Sequence, residues 1–258
     1  MAAFDAERFR SRSRETKPEL GRPLMYHPVT GSTNDDALLA ARSGAPHGSV
    51  FVADEQTAGR GRRGTAWLAA PGENLLFSVL LRPRLELAQV SALTLAIGLA
   101  LRDAIAPLVA PETQLKWPND LYVGGKKLAG VLVESQLQGD RLQAVVVGVG
   151  LNVAAREFPA EIAARATSLA LLGAQRLERE TLLYELLEAI ARRVATYQRT
   201  GVAGILDELN AADALRGKQV RIDTLSGTGN GLDAQGRLLL QDERGEIHAI
   251  SSGTVELL

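Results

Sequence analysis

The 258-residue sequence contains no cysteine, which excludes a disulfide framework, a thiolate-held metal and a cysteine nucleophile. Its three histidines, His27, His47 and His248, are scattered without metal-ligand spacing, so no metal site is expected from Cys or His and any metal should arrive on a ligand. An excess of one charge is also missing. With 29 basic against 30 acidic residues, the chain has no overall field to draw DNA or an anionic membrane. Apolar runs are broken by charge before the ~18 residues that would cross a bilayer, and the N-terminus has no signal-peptide-like apolar stretch. The expectation is a cytoplasmic globular protein with one large domain and a small second one.

Against this even background, Asp54–Trp67 stands out. Gly59, Gly61 and Gly64 are interleaved there with Arg60, Arg62 and Arg63, directly after the strand-like run Ser49–Ala53. Glycine lets the backbone approach a bulky anion, and guanidinium forks hold phosphate and carboxylate oxygens bidentately. The spacing also matches Gly-x-Gly-x-x-Gly, but that dinucleotide fingerprint needs a helix to open at the glycines. Thr65-Ala66-Trp67 and the Pro71-Gly72-Glu73 turn follow instead, so the stretch reads as a loop closing on a small anion.

Residues 1–22 are mixed in charge and read as an N-terminal arm or ragged helix, too short for a helix-turn-helix. Ser32 or Thr33, with Asp35 or Asp36 beyond, gives a capping-box-like start to a helix that Gly44 stops; the same helix end offers donors to a polar ligand. Asn74–Leu81 reads as a buried strand, and Glu86–Leu108 as a core helix. From Gln114 the chain reads strand, Pro118-Asn119-Asp120 turn, short strand, Gly124-Gly125 hairpin, long strand, a Gly139-Asp140 turn and the strand Leu142–Val149. Lys116 and Lys127 lie in otherwise apolar strands, where a lysine is costly to bury unless an anion pairs with it. Gly148-Val149-Gly150-Leu151-Asn152 leaves room for close backbone approach. Glu180–Gln198 reads as an amphipathic helix with Arg192 and Arg193 on a solvated face, and a shorter helix follows near Val202–Leu209. Beyond Gly217 come short strands, including a Ser226–Gly231 turn cluster, that suggest a small β-barrel.

Five motifs in order, Ser32-Thr33-Asn34, Gly59–Gly64, Lys116-Trp117-Pro118-Asn119-Asp120, Lys127-Leu128-Ala129-Gly130 and Gly148-x-Gly150-x-Asn152, resemble those of biotin protein ligases. The resemblance covers roughly residues 27–258. It implies an α+β fold, a mixed β-sheet flanked by helices as in class II synthetases and biotin/lipoate ligases, with a C-terminal SH3-like barrel. The corresponding division is an arm at 1–22, a catalytic domain at 23–214 and the barrel at 215–258. It further implies ATP and Mg²⁺, the metal carried by the phosphates, and transfer of biotin to a lysine of a biotin carboxyl carrier protein of acetyl-CoA carboxylase or a related enzyme.

Residue by residue, the resemblance implies that Lys116, Arg60 and Lys127 are catalytic. Ser32, Thr33, Asn34, Gln56, Gly61, Arg62 and Gly130, with Arg60 and Lys127, should bind biotin. Arg63, Trp67, Asn74, Asn119 and Asn152, with Arg60, Arg62 and Lys116, should bind ATP or the adenylate, Trp67 lying against the adenine. Repressor members of the family carry an N-terminal winged helix-turn-helix, so a ligase without DNA binding is expected, as monomer or homodimer. No basic nucleotide contact is legible in Thr254–Leu258. Lipoate ligases resemble the same fold, but the Arg60–Gly64 loop and the C-terminal barrel separate the chain from them. Octanoyl transferases need a cysteine. A non-catalytic sensor of biotin or nucleotide remains the alternative of another class.

Overall fold

The computed structural model describes residues 3–175 and 177–258. In chain order they form α1 (Ala6–Thr16), β1 (Leu24–Thr30), α2 (Thr33–Arg42), β2 (Val50–Gln56), β3 (Asn74–Leu81), α3 (Leu87–Ile105), β4 (Thr113–Lys116), β5 (Asp120–Val123), β6 (Lys126–Gln138) and β7 (Arg141–Asn152). Then follow α4 (Ala160–Ala163), α5 (Arg179–Thr200), α6 (Leu206–Ala211), β8 (Gln219–Ile222), β9 (Leu225–Leu232), β10 (Leu238–Gln241), β11 (Ile247–Ile250) and β12 (Val255–Leu257).

A seven-stranded sheet, ordered β1-β2-β3-β7-β6-β5-β4, carries the main domain. β1 and β2 run parallel, and the remaining neighbours pair antiparallel. Every residue of β3 is buried, as a continuous apolar run at the centre of a two-faced sheet requires. Gly124 and Gly125, at φ +58° and +77°, make the two-residue hairpin between β5 and β6, where both positions must be left-handed. The larger core lies where α3 and α5 cover one face of the sheet through Leu93, Ile97, Leu183, Leu187 and Ile190. On the other face, Ala37 and Ala41 of α2 pack on Phe51, Leu80, Ala144 and Val146. The small side chains of α2 hold it close to the sheet.

Five places differ from, or sharpen, the sequence reading. The middle of the N-terminal arm, Ala6–Thr16, is a regular helix; Phe9 within it and Phe4 ahead of it are buried against the main core, with Arg12 stacked 4.0 Å over the Tyr184 ring. Ser32 caps α2 through its backbone conformation alone. Its hydroxyl makes no capping bond, and Asp35 and Asp36 turn to Arg60 and Thr30, so no capping box forms. Leu87–Leu108, with mean hydropathy 1.4, is long and apolar enough to cross a membrane despite the charge near its end; here it is the core helix, Leu93 to Leu101 being largely buried in protein. Arg193 is not on a solvated face. It clamps Asp103 of α3 and Glu208 of α6 with bonds of 2.7–3.0 Å, and the two carboxylates raise its already high pKa.

The fifth difference is in the C-terminal module, an antiparallel five-stranded sheet ordered β11-β10-β9-β8-β12. The Ser226–Gly231 cluster is not a turn but most of β9, and the chain reverses one step earlier, at Asp223, φ +53°. A Cβ on Gly227 or Gly229 would meet a backbone oxygen at 2.3 or 2.4 Å, so these glycines serve close packing. Folding also brings His248 to 2.9 Å from Asp242, beside Glu246, although the sequence spacing gave no such cluster. Asp242 closes this hairpin by accepting from the Arg244 and Glu246 amides.

Candidate active site

A cleft of about 390 Å³ opens over β6 and β7, between the Arg/Gly loop and the C-terminal module. Its floor is made by missing side chains. Gly130 and Gly150 are cross-strand partners, and the Trp67 indole lies against both: added Cβ atoms would meet its ring at 3.0 and 2.4 Å. A Cβ on Gly148 would meet Asn34 Oδ1 at 2.1 Å. Ordinary side chains at these strand positions would push the indole and the amide out of place.

At one end stands a buried polar shelf. Gln56 Oε1 accepts from the Thr33 amide at 2.8 Å and from Thr33 Oγ1 at 3.0 Å. Ser78 Oγ lies 2.7 Å from Thr33 Oγ1 and 2.6 Å from Asn34 Oδ1, while Asn34 Nδ2 donates to Glu134 at 2.5 Å. The network fixes the rotamers of Thr33, Asn34 and Gln56 around Ser32, whose hydroxyl makes no capping bond, and the N-terminus of α2, where that hydroxyl and the amides of the first turn can meet a neutral polar head.

Above the floor the cations converge. The Arg/Gly loop opens no helix beyond one short turn at Arg62–Gly64, and an Arg60↔Ala66 bridge closes it. Arg60 forks onto Asp35 with two bonds of 2.6 Å and lies 3.6 Å from Glu134. The Arg60 hydrogen bonds hold the Asp35 carboxyl below the usual range. Lys127 pairs with Asp120 at 2.7 Å and sits 5.3 Å from the centre of the Trp67 ring. Lys116, at the end of β4, is half-buried, and burial, reinforced by the charges of Lys127 and Arg165, lowers its pKa against the opposing pull of Asp120. Burial likewise pushes the neighbouring Tyr122 hydroxyl up to about 12. Arg62 faces the cleft, its pKa lowered by burial and by Arg63 beside it. Lys116 and Arg62 make no ion pair among the described residues. The Trp67 Nε1 donor is buried without a partner among the described residues, which suits a ligand acceptor.

The fold therefore brings Ser32, Thr33, Asn34, Gln56, Arg60, Gly61, Arg62, Arg63, Trp67, Lys116, Asn119, Lys127, Gly130 and Asn152 to one cleft. Asn74 is the exception. It lies outside the lining, 1% exposed, and its Oδ1 accepts from the Val153 amide, so it closes a strand end instead of contacting ligand. Asn119 and Asn152 line the cleft but donate to the Val131 and Thr167 carbonyls at 3.0 and 2.9 Å. Arg63 turns away, at φ +53°, to Asp223 and Thr254 of the C-terminal module.

Sequence reasoning missed Asp35, Glu134 and Asp120 as partners of the cations, Arg165 at the rim, and Gly253–Val255 as a wall. Asp120 sat inside a quoted motif without a role, and Glu134 lies within β6 with no motif around it. The tail contributes backbone and a hydroxyl, which carry no charge signature. Trp117 Nε1 donates to the Gly236 carbonyl at 3.1 Å, joining the Lys116 turn to the C-terminal module. Gly236 is at φ +76° with Leu95 2.7 Å from its missing Cβ, so only glycine fits there.

The profile of the biotin/lipoate A/B protein ligase family matches residues 26–152, and that of the biotin protein ligase C terminal domain matches residues 217–258. A sequence relative, the bifunctional ligase/repressor BirA of Bacillus subtilis, is 35% identical over 244 residues, which is 92% of this chain and 75% of BirA. This chain belongs to the biotin protein ligase family. The biotin--[acetyl-CoA-carboxylase] ligase of Mycobacterium tuberculosis is 38% identical over 88% of this chain and 85% of its own. A solved biotin protein ligase from Aquifex aeolicus in complex with biotin and ATP superposes with a TM-score of 0.78 at 32% identity, covering 92% of this chain and 99% of that one. The family's two profiles thus fall on the two modules whose facing surfaces make the cleft.

Proposed function

We propose that the cleft joins biotin to ATP as biotinyl-5′-AMP and then passes the biotinyl group to one lysine of a biotin carboxyl carrier protein. The observation that carries this reading is the convergence of Arg60, Arg62, Lys116 and Lys127 over a glycine floor, beside a buried neutral polar shelf. In the first step a biotin carboxylate oxygen bonds to the α-phosphorus and the bond to pyrophosphate breaks. Two anions must meet, so the protein's task is to neutralise and align them, which needs cations and no enzyme nucleophile.

Ser32, Thr33, Gln56 and the Gly130 backbone hold the ureido ring and tail of biotin. Arg60 and Lys127 hold the carboxylate and exchange their present partners, Asp35 and Asp120, for it. Lys116, desolvated and without an ion pair, meets the α-phosphate in both steps. Trp67 takes the adenine. Asn119 and Asn152 shape the site through backbone bonds. In the second step the carrier lysine amine bonds to the acyl carbon, AMP leaves with the electron pair, and the amine proton is lost. The cleft carboxylates Asp35, Asp120 and Glu134 already face cations or an amide, which fits a Mg²⁺ that arrives on the phosphates; it would add further neutralisation of their charge.

Pyrophosphate release with ATP, Mg²⁺ and biotin, beside lipoate as control and with or without a biotin-carrier domain, tests the reading. Biotin-dependent release that turns over repeatedly only with the carrier is expected. No release, or equal release with lipoate, would refute it.

A further inference from the structure

A buried arginine outside the cleft joins the two roots of the Arg/Gly loop. β2 and β3 are paired as far as Ala53↔Leu76, and beyond that rung the Gly72 amide still donates to the Asp54 carbonyl at 2.9 Å before the two sides part to release the loop. Arg179, the first residue of α5 and 2% exposed, reaches into the gap. Its Nη1 donates to Asp54 Oδ1 on the β2 root at 2.6 Å and to the Asn74 carbonyl on the β3 root at 3.2 Å. The other Asp54 oxygen accepts from the Tyr26 hydroxyl at 2.5 Å, and the Phe4 amide approaches the same carboxylate at 3.3 Å. Burial, then the Asp54 bond, pushes Tyr26 up to about 12, so it stays a donor across the physiological range.

We propose that Arg179 is a positioning residue for this reaction: by bridging Asp54 and Asn74 it sets the span of the Arg/Gly loop and hence where Arg60, Arg62 and Trp67 stand over the cleft. A buried ion pair adds little net stability compared with an apolar pair of the same shape. What a guanidinium adds is direction, since the two N–H bonds of Nη1 are fixed in its plane, one toward each strand root, whereas the donors of a lysine ammonium rotate on a flexible stem. The bridge adds a side-chain link beside the Gly72-to-Asp54 backbone bond, where the regular ladder has ended. Phe4, just ahead of α1, lies beside it, with its ring centre 5.9 Å from the guanidinium carbon.

This inference rests on the catalytic reading for its kinetic arm only. The first arm is limited trypsin digestion of the ligand-free, full-length protein, scored for cuts at Arg60, Arg62 and Arg63. Arg179→Met should be cut there about fivefold faster than wild type, because the loop opens locally more often. The second arm measures the KM for biotin and the escape of biotinyl-AMP before transfer, each expected to rise about tenfold for a loop displaced by about an ångström. Arg193→Met, which breaks a clamp between α3, α5 and α6 away from the cleft, is the control for destabilisation alone. Asp54→Asn carries the test if Arg179→Met does not fold. Loop cutting and biotin KM no different from those of the Arg193→Met control would overturn the proposal. If wild type makes no adenylate, the catalytic reading fails, and the digestion arm still decides this one.

Discussion

Gly150→Ala replaces a hydrogen with a methyl group directly beneath the Trp67 indole. The new carbon would lie 2.4, 2.6 and 2.9 Å from three ring atoms, whereas ordinary contact begins at 3.4 Å, so the ring must withdraw by about 1 Å. Gly150 sits in β7 at an ordinary φ, and alanine there recovers roughly 0.5–1 kcal/mol of chain entropy. Overpacking costs about 1–3 kcal/mol, so the net loss of stability is about 2 kcal/mol or less and Tm falls by a few degrees. Function should suffer more. Trp67 carries Lys127 5.3 Å from its ring centre and stands where the adenine is read to lie, and a displacement of about 1 Å costs about 10² in rate. Gly130→Ala is the internal comparison: its methyl meets the ring at 3.0 Å and the flexible end of Lys127 at 3.2 Å, so a few tenths of an ångström relieve it and a loss below about tenfold is expected. Pyrophosphate release at varied ATP and biotin, with tryptophan fluorescence to follow the indole, reads both variants. A folded Gly150→Ala protein within about twofold of wild type, or a Gly130→Ala protein that is the worse of the two, would refute the reasoning.

Lys116→Ala should lower adenylate formation at least ~10²-fold with biotin binding intact, the size of one lost transition-state charge contact; near-wild-type pyrophosphate exchange would contradict that role. Because burial lowers the Lys116 pKa, its proton and its charge are lost at a pH below the ordinary lysine value, so activity should fall on the alkaline side and Lys116→Arg should move that fall upward. Arg62→Gly should let biotinyl-AMP escape and label proteins indiscriminately, which a streptavidin blot of a lysate would show; unchanged selectivity for the carrier would count against it. Arg193→Met should cost about 1–3 kcal/mol, with the exposed Glu208 side contributing least. Arg193 depresses the Glu208 pKa, so that part of the clamp is complete above the ordinary glutamate value and is lost as pH falls through the lower folded one; the Tm gap between wild type and variant should narrow in acid and not in base.

Much of this was legible because the signals were local. The largely apolar Asn74–Leu81, the Gly124-Gly125 hairpin and the helical spacing of Leu93, Ile97 and Leu101 each state their structure within a few residues, and the five ordered motifs lie together in one cleft. What was not legible depends on partners far along the chain. A helical pattern places Arg193 toward the outside of α5 but cannot show that Asp103 and Glu208 wait there. Glycines in Ser226–Gly231 signal turns when read alone and close packing once Gln241 and Leu215 are beside them. Asn74 looked like a ligand contact because a polar residue at a strand mouth reads the same whether it faces solute or satisfies a backbone amide. The loop arginines did call for anions, and without ligand those anions are the protein's own Asp35 and Asp223.

The wall that Gly253–Val255 lends to the cleft makes occupancy a matter of linkage as well as catalysis. A ligand that touches both modules binds only while they are docked, so it adds RT ln(1 + [L]/Kd) to their docking, about 2.7 kcal/mol at a hundredfold excess over Kd. The small C-terminal sheet, held to its neighbour by contacts such as Trp117 to Gly236 and Arg63 to Asp223, is the part such a term protects most. Saturating ligand is therefore expected to slow limited proteolysis of the C-terminal sheet more than that of the main domain.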